Sequence, residues 1–469
     1  MTYTLSVESF KNTFAVKLDG SNGLQLTHNH AKRFNLFPYN TSNSDPITEL
    51  SPLIGKYLGG IDGEEPIPLS ADVLIEKLKR DENLAPLKPD AEEIFEQVVR
   101  HMFFDKDGKI RPINLRMLAQ ISCTDSNECK LADYLVDVLG DREILKKSIS
   151  EASAKVDAQS NALERFVATK LEFKPIKHKS GPVYYRITNS LKSHFERDFT
   201  YILGARNRTR DYLVPLIEFY YFTYTAQAIL QLNRFLDGCR EECIPIYFCL
   251  EWEKTSQSRP CFQEGWNMLQ VAISKIFAHS VVLEILNQTV GENEPVDYIK
   301  ISELINCIPG EDHRIAEEIK TLTDCYRQAV ADCREMGELT RRESLDGETA
   351  AEIKFLFDSV RVQFENMRSG PYNKYANKFI KYCDKKYLKP RGRSGKMLNI
   401  SEETLIFLTK ICIKDKEKMR LNDVFSEFES RGVFLDNHSK NEVMHYYEKL
   451  NLIEKKSDSG DAQYVKRIL

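Results

Sequence analysis

The sequence predicts a mainly α fold. It comprises a large helical body with long heptad-patterned helices, a small irregular N-terminal part with short strands, and a C-terminal winged-helix domain. Three observations predict it. Apolar residues recur in alternating steps of four and three along two long segments and, more briefly, a third. That spacing holds one stripe on one side of a helix. The last stretch, 398–469, reads as three helices followed by a hairpin. Gly59, Gly60, Gly63, Pro66 and Pro68 cluster where a segment without helical periodicity ends.

Residues 1–65 form the irregular N-terminal region, with extended pieces such as Thr13–Leu18. The helical body spans 66–368. Asp90 stands as the cap of "AEEIFEQVVRHMFF", in which Ile94, Val98, His101 and Met102 share a face. Further helices are predicted over 129–139, 211–237 and 262–288, and "CIPIYFCLEW" near 243–252 is the clearest interior strand. The first seam runs Leu145, Ile149, Ala152, Val156, Gln159, Leu163 and Phe166. The second runs Ile315, Ile319, Leu322, Tyr326, Ala329, Cys333 and Met336. The third is Ile353, Phe357, Val360, Phe364 and Met367. Three readings stay open: a coiled-coil arm through which copies associate, long amphipathic core helices, or pairing of the first two runs within one chain.

A basic helix and linker follow over 369–397. Between Asn366 and Lys396 the chain holds ten Lys plus Arg against a single acid, Asp384. The whole chain has a net charge of −4, so this +9 segment sits on a remainder of −13 (−4 minus 9). Tyr372, Tyr375, Ala376, Phe379 and Cys383 fall on one helical face, and Lys374, Lys378, Lys381 and Lys385 on another. Then comes "KPRGRSGK", with Lys389, Arg391, Arg393 and Lys396. Its "PRGR" resembles the core of an AT-hook, in which two arginines straddle a glycine in the narrow minor groove. Ser394 stands where that motif has its second proline, and a flexible basic linker is the plainer reading. A second basic track, "KPIKHKSGPVYYR" with Lys192 and "RNRTR" at 206–210, reads either as an extension of the first or as a solvated face.

The winged-helix domain spans 398–469. Ser401 caps a first helix, and Asn422 caps a second whose inner face is Val424, Phe425 and Phe428 before Gly432. Ser439 and Glu442 make a capping box for the third, with Val443, Tyr446, Tyr447 and Leu450 inward. "LIEKK" and "AQYVKRIL" are the two strands around "SDSGD". A winged helix offers its third helix to the major groove and its hairpin to the backbone, which nominates Lys440, Asn441 and His445, then Lys455 and Lys456. From Leu398 onward there are twelve Lys plus Arg and thirteen Asp plus Glu. Phosphate contacts dominate DNA affinity, so this balance favours protein docking over DNA anchoring.

Composition limits the function classes. A net charge of −4 excludes a uniformly basic nucleic-acid coat. Eleven scattered cysteines do not make a secreted disulfide framework, which predicts reduced thiols and a cytoplasmic location. The start "MTYTLSVESFKNTFAVK" has no signal-peptide pattern. "DYLVPLIEFYYFTYTAQAILQL" at 211–232 is long enough to span a bilayer. Glu218 at its middle would cost roughly 3 kcal/mol there, so a buried core helix is expected and no membrane.

No catalytic signature is complete. "RSGKMLN" lacks the first glycine and the hydroxyl of a phosphate-binding loop. Cys239, Cys243, Cys249 and Cys261 fit no standard zinc spacing, and His28 and His30 flank Asn29 in a polar loop with no third ligand nearby. Asp90 with Asp107 and Lys109 matches a loose metal-dependent nuclease pattern, which requires both halves on adjacent strands. No cofactor and no metal are expected.

Three strings carry a resemblance: "MTYTLSVESFKNTFAVK", "AKRFNLFPYNT" at 31–41, and the ending "LNLIEKKSDSGDAQYVKRIL". Through them the chain resembles, end to end, the DptG family of bacterial systems that restrict DNA lacking phosphorothioate modification. The resemblance implies a bacterial cytoplasmic subunit that works with DptF and DptH subunits. Together with the residues it gives a non-catalytic adaptor whose body binds the partner subunits and whose basic 366–396 segment helps hold double-stranded DNA without reading its sequence. The resemblance brings no catalytic residues. A nuclease subunit using Asp90, Asp107 and Lys109, or a purely structural subunit without DNA contact, are the alternatives.

Overall fold

The computed structural model describes residues 3–468 apart from 19–23, 29–30, 83, 85, 87, 122, 124, 160, 177–180, 254–258, 292–293, 393–394 and 456–462. The fold is mainly helical, as expected. At the N-terminus α1 (Val7–Thr13) is capped by Ser6, whose Oγ accepts from the Ser9 N–H at 3.1 Å. It buries Phe10 and Phe14, so only Lys17–Leu18 of the predicted extended piece is a strand. That strand, β1, pairs antiparallel with β2 (Leu24–Gln25). The first 65 residues are not a separate unit: α2 (Ile54–Asp62) buries most of its length in the main core. The adjoining β3 (Glu64–Pro66) pairs with β4 (Phe173–Pro175), more than a hundred residues later.

A satellite core is built by α3 (Ala71–Lys79) and α4 (Pro89–Phe103), with Met117 of α5 (Leu115–Leu118). Leu74, Leu78, Val99 and Phe103 are buried in it. The face shared by Ile94, Val98, His101 and Met102 on α4 turns outward: all four are exposed. The helix carries two apolar ridges with the same four-residue step, 94–98–102 and 95–99–103. Ion pairs from Lys79 to Glu92 and Glu96, and from Arg100 to Asp72, dock α3 so that the second ridge is covered.

The first heptad run does not form one helix. After α6 (Ser126–Val138), α7 (Arg142–Gln159) stops and α8 (Ala162–Thr169) restarts on an Asn161 cap. Leu145, Ile149 and Ala152 enter the main core, whereas Leu163 and Phe166 pack on the satellite core. The side chains of Val156 and Gln159 lie outside the described residues. The chain continues through β4 (Phe173–Pro175) and α9 (Lys192–Leu203) to α10 (Arg206–Leu232). This 27-residue helix is buried on every side from Phe219 to Leu232. Among the described residues no single helix is long and apolar enough to cross a membrane. Glu218, the carboxylate that argued for a core helix, lies 3.0 Å from Lys386.

The strand expected near 243–252 shrinks to β5 (Cys249–Leu250). The chain then passes through α11 (Arg259–Cys261), a π-helical turn and α12 (Met268–Ile273) to the wholly buried α13 (Ile276–Leu286). After α14 (Tyr298–Cys307), α15 (Glu311–Ala329) packs along α16 (Glu348–Met367). The second heptad run therefore meets the third, not the first. Ile315, Ile319, Leu322, Tyr326, Ala329, Cys333 and Met336 are buried, as are Ile353, Phe357, Val360 and Phe364. Those faces are consumed within the chain and are not left for a second copy.

The last part begins with α17 (Ser369–Lys386), then β6 (Leu388–Pro390) and β7 (Lys396–Ile400). β7 lies antiparallel to β6 and parallel to β5, so the boundary drawn at 398 falls inside a strand of a three-stranded sheet. Next come α18 (Glu402–Ile413), β8 (Lys418–Arg420), α19 (Leu421–Glu429), α20 (Asn437–Lys449), β9 (Ile453–Lys455) and β10 (Gln463–Lys466). The strands β8, β10 and β9 form an antiparallel sheet in that order. Ser401 caps α18 as read, its Oγ accepting from the Thr404 N–H at 3.1 Å. The other two caps differ. α19 starts at Leu421, which places Asn422 inside it. Asp436 caps α20, while the Ser439 hydroxyl donates to buried Glu253 at 2.8 Å. Val443 and Tyr447 face inward, Tyr446 is half-buried and Leu450 is exposed.

Candidate nucleic-acid interface

The lysine face of α17 is opposed to a buried face of Tyr372, Tyr375, Ala376, Phe379, Tyr382 and Cys383, so the helix docks on the body as its pattern requires. Most of its cations do not stand free. The Lys378 ammonium donates to the Ser44 carbonyl and, at 2.9 Å, to the Ser44 hydroxyl. Burial there pushes it below the ordinary lysine value. Lys385 lies 2.8 Å from Glu49; Lys386 lies 2.9 Å from Glu49 and 3.0 Å from Glu218. Hydrogen bonds from Lys385 and Lys386 hold the Glu49 carboxyl below the usual carboxylate range. Among the described residues only Lys374, half-buried, and Lys381, exposed, of these lysines make neither an ion pair nor a side-chain hydrogen bond.

The following octet is not a linker. β6 and β7 pair as a hairpin, and Gly392 and Gly395 between them sit at φ 58° and 73°, a region that excludes most side chains. Lys389 donates to the Glu251 carbonyl at 3.2 Å. The Arg391 guanidinium donates to the carbonyls of Leu250 at 2.7 Å and Glu253 at 3.0 Å, and to the Asn399 side chain. Lys396 pairs with Asp384. An AT-hook needs both arginines free to enter a groove, and Arg391 instead ties the hairpin to β5. Arg393 lies outside the described residues.

In the C-terminal part, Lys440 reaches Glu429 at 2.8 Å and lies over the Phe425 ring. Asn441 and His445 are exposed, His445 being 3.4 Å from Glu448. Lys455 is in β9 with its side chain outside the described residues, as is all of Lys456. An open cleft of about 950 Å³ lies between α19, the start of α20 and β10, lined by Asn422, Ser426, Asn437, Asn441, Met444 and Gln463 among others.

The second basic track is also tied down. Lys174 pairs with Glu65, Lys192 with Asp141, Arg206 with Glu164, Arg208 with Asp415 and Arg210 with Asp211. Arg186 donates to the Asp137 carbonyl at 2.9 Å, and residues 177–180 lie outside the described residues. Arg208 also covers the Tyr201 ring at 4.0 Å, a contact that removes both from base stacking.

The nuclease pattern is not assembled. Asp90 opens α4 and Asp107 and Lys109 sit in the turn after it, so a helix of 15 residues, about 22 Å long, separates them. Cys249 and Cys261 are buried beside Met397, and among the described residues no three His, Cys, Asp or Glu side chains converge on a common point. His28 is not in a polar loop: its ring packs on Phe364 and its Nε2 meets the Tyr326 hydroxyl at 3.1 Å.

One cluster had no sequence signal. Asp198 on α9 is fully buried and receives the Arg431 guanidinium at 2.7 and 2.9 Å, Lys414 at 2.8 Å and the Tyr220 hydroxyl at 2.7 Å. Glu427 takes the remaining face of Arg431 at 2.6 Å. Arg431 and Lys414 belong to the C-terminal part and Asp198 to the body, so this neutral set fastens one to the other. Its partners lie 233 residues apart, beyond any local pattern.

No family model matches this chain, and no curated protein matches it.

Proposed function

We propose that this chain is a non-catalytic adaptor, the DptG-type subunit of a bacterial, cytoplasmic DNA phosphorothioation-dependent restriction complex. In this reading it bridges DptF and DptH and assists their hold on double-stranded DNA. The observation that carries it is the C-terminal arrangement. Three helices and an antiparallel sheet ordered β8–β10–β9 have the build of a winged helix, locked to a helical body and presenting α20 and a polar cleft outward. A rigid mount suits a docking module, because little freedom remains to be lost when a partner binds.

The charge geometry favours protein docking over a strong DNA anchor. Of the thirteen cations and polar groups read as DNA ligands, Lys378, Lys385, Lys389, Arg391, Lys396 and Lys440 are bonded within the chain. Among the described residues Lys374, Lys381 and Asn441 remain as the contact set, with His445 beside Glu448, enough to assist but not to dominate binding.

The test is co-purification with DptF and DptH. Ser426→Glu with Asn441→Glu changes two exposed residues of the cleft without touching the core. Loss of at least one partner with an unchanged circular-dichroism spectrum supports the docking role. Full recovery of both partners overturns it.

A further inference from the structure

Cys123 and Cys129 face each other across the entry to α6. Their sulfurs stand 2.9 Å apart, within about 1 Å of the ~2.05 Å of a disulfide. Cys123 lies two residues before the Asp125 cap, and Cys129 is the fourth residue of the helix. Both are half-buried, which leaves them open to a small reagent, whereas Cys249, Cys261, Cys333, Cys383 and Cys412 are buried.

The chain on the Cys123 side is already anchored. At Gly55 of α2 an added Cβ would stand 1.9 Å from the Ile121 carbonyl oxygen, so 119–121 lies directly on that helix. α6 packs on α2 as well. The two sulfurs are therefore carried by two pieces held against one helix, and bonding them needs no large movement. The first turn of α6 also carries Asn127, whose side-chain oxygen accepts from Asn40 at 2.8 Å. Asn40 accepts from the Ser44 hydroxyl at 3.3 Å, and Ser44 receives Lys378 of α17. Burial, and after it the bond to Cys129, pushes the Cys123 thiol up to about 12, so Cys123 rests protonated.

We infer that Cys123 and Cys129 form a redox-reversible disulfide, closed by a low-molecular-weight disulfide such as oxidised glutathione and reopened by thiols. One cysteine, as its thiolate, attacks a sulfur of the oxidant, forms a mixed disulfide and expels one oxidant thiolate. The second cysteine attacks the protein sulfur of that mixed disulfide; the Cys123–Cys129 bond forms and the second oxidant thiolate leaves. The cysteines lose two electrons, the oxidant is reduced to two thiols, and the two cysteine protons end on them. The raised Cys123 thiol keeps this exchange slow at neutral pH, so the pair follows a sustained oxidising poise and not a brief pulse. Closed, the bond ties 119–123 to the turn that holds the loop beneath α17. A bond that opens and closes is the form disulfides take in a reducing compartment. The site is independent of the adaptor role and stands or falls separately from it.

The test uses the full-length chain. Both cysteines, and no others, lie in one tryptic peptide, 117–130. The protein is equilibrated with increasing oxidised glutathione at fixed reduced glutathione, quenched by alkylation and mapped by mass spectrometry. Wild type yields a 117–130 peptide that lacks two hydrogens and carries no alkyl group, and dithiothreitol returns it to the doubly alkylated form. Because closure is intramolecular, it is half complete at an oxidant concentration at least about tenfold below that giving a mixed disulfide at exposed Cys307. Cys129→Ser raises the requirement at Cys123 to that of Cys307 or above. A 117–130 peptide that stays doubly alkylated, closure that needs as much oxidant as Cys307, or a Cys129→Ser chain modified at Cys123 as readily as wild type closes, each overturns the proposal.

Discussion

Asp198→Asn is the substitution that most directly tests how the C-terminal part is held. The change preserves shape and removes one negative charge from a site with no solvent access. Arg431, only 1% exposed, keeps Glu427 but loses its bidentate partner, and Lys414 loses its only ion-pair partner among the described residues. Removing one member of a buried pair costs about 3–5 kcal/mol, and the surviving Glu427 contact places this case near 3. At roughly 2–4 °C per kcal/mol for large domains, the thermal midpoint falls by about 6–12 °C. Hydrogen exchange should localise the loss to α18–α20, whose amides become less protected while those of α13 do not. Arg431→Met alone should also destabilise, and the double variant should be more stable than the two single losses added together. The pH dependence has a fixed sign. Burial pushes the Asp198 carboxyl up, but Arg431 and Lys414 outweigh it and hold it below the usual carboxylate range. Its contribution is therefore present above the unfolded value and is lost as the pH drops below about 4. An Asp198→Asn protein within about 0.5 kcal/mol of wild type, with unaltered exchange, would refute the idea that this cluster joins the two parts.

Three further outcomes follow from the same geometry. Reversing Lys374 and Lys381 together leaves stability unchanged but lowers the slope of log affinity against log salt by about two in a gel-shift series. Reversing Lys385 instead destabilises the protein by loss of the Glu49 contact; identical effects from both sets would contradict the distinction. At Gly55 an added Cβ would stand 1.9 Å from the Ile121 carbonyl oxygen, so Gly55→Ala costs about 1–3 kcal/mol in urea denaturation as α2 is pushed from the 119–121 segment. His28 is held neutral, with burial lowering its pKa to about 3. A depressed histidine contributes stability that is present above its unfolded value near 6.5 and is lost as pH falls toward 3. At pH 5 that loss is about 2 kcal/mol, and His28→Phe should flatten the urea midpoint between pH 6.5 and 4.

Much of the local structure was legible in the residues alone. The apolar face of α17, the Ser401 cap, the burial of α10 and the succession of helices and hairpin strands over 402–466 each follow from patterns a few residues long. Steric and hydrogen-bonding preferences of that range act within one element, so neighbours in sequence suffice to read them. The 4–3 step in turn marked the faces of α15 and α16 as apolar.

What covers those faces was decided elsewhere. Two ridges of α4 have equal spacing, and which one is covered depends on the packing of α3 and α8 against Phe95, Val99 and Phe103. A row of lysines on α17 reads as a free positive surface until the chain brings residues 44–49 and 218 alongside it. Arg391 looks like a groove-binding arginine until β5, about 140 residues earlier, supplies its carbonyl acceptors. A charged side chain interacts with whatever the folded path places within a few ångströms, and that neighbour is chosen by topology. Periodicity therefore determined the elements and their apolar faces, whereas only the tertiary structure decided which faces and which charges remain at the surface.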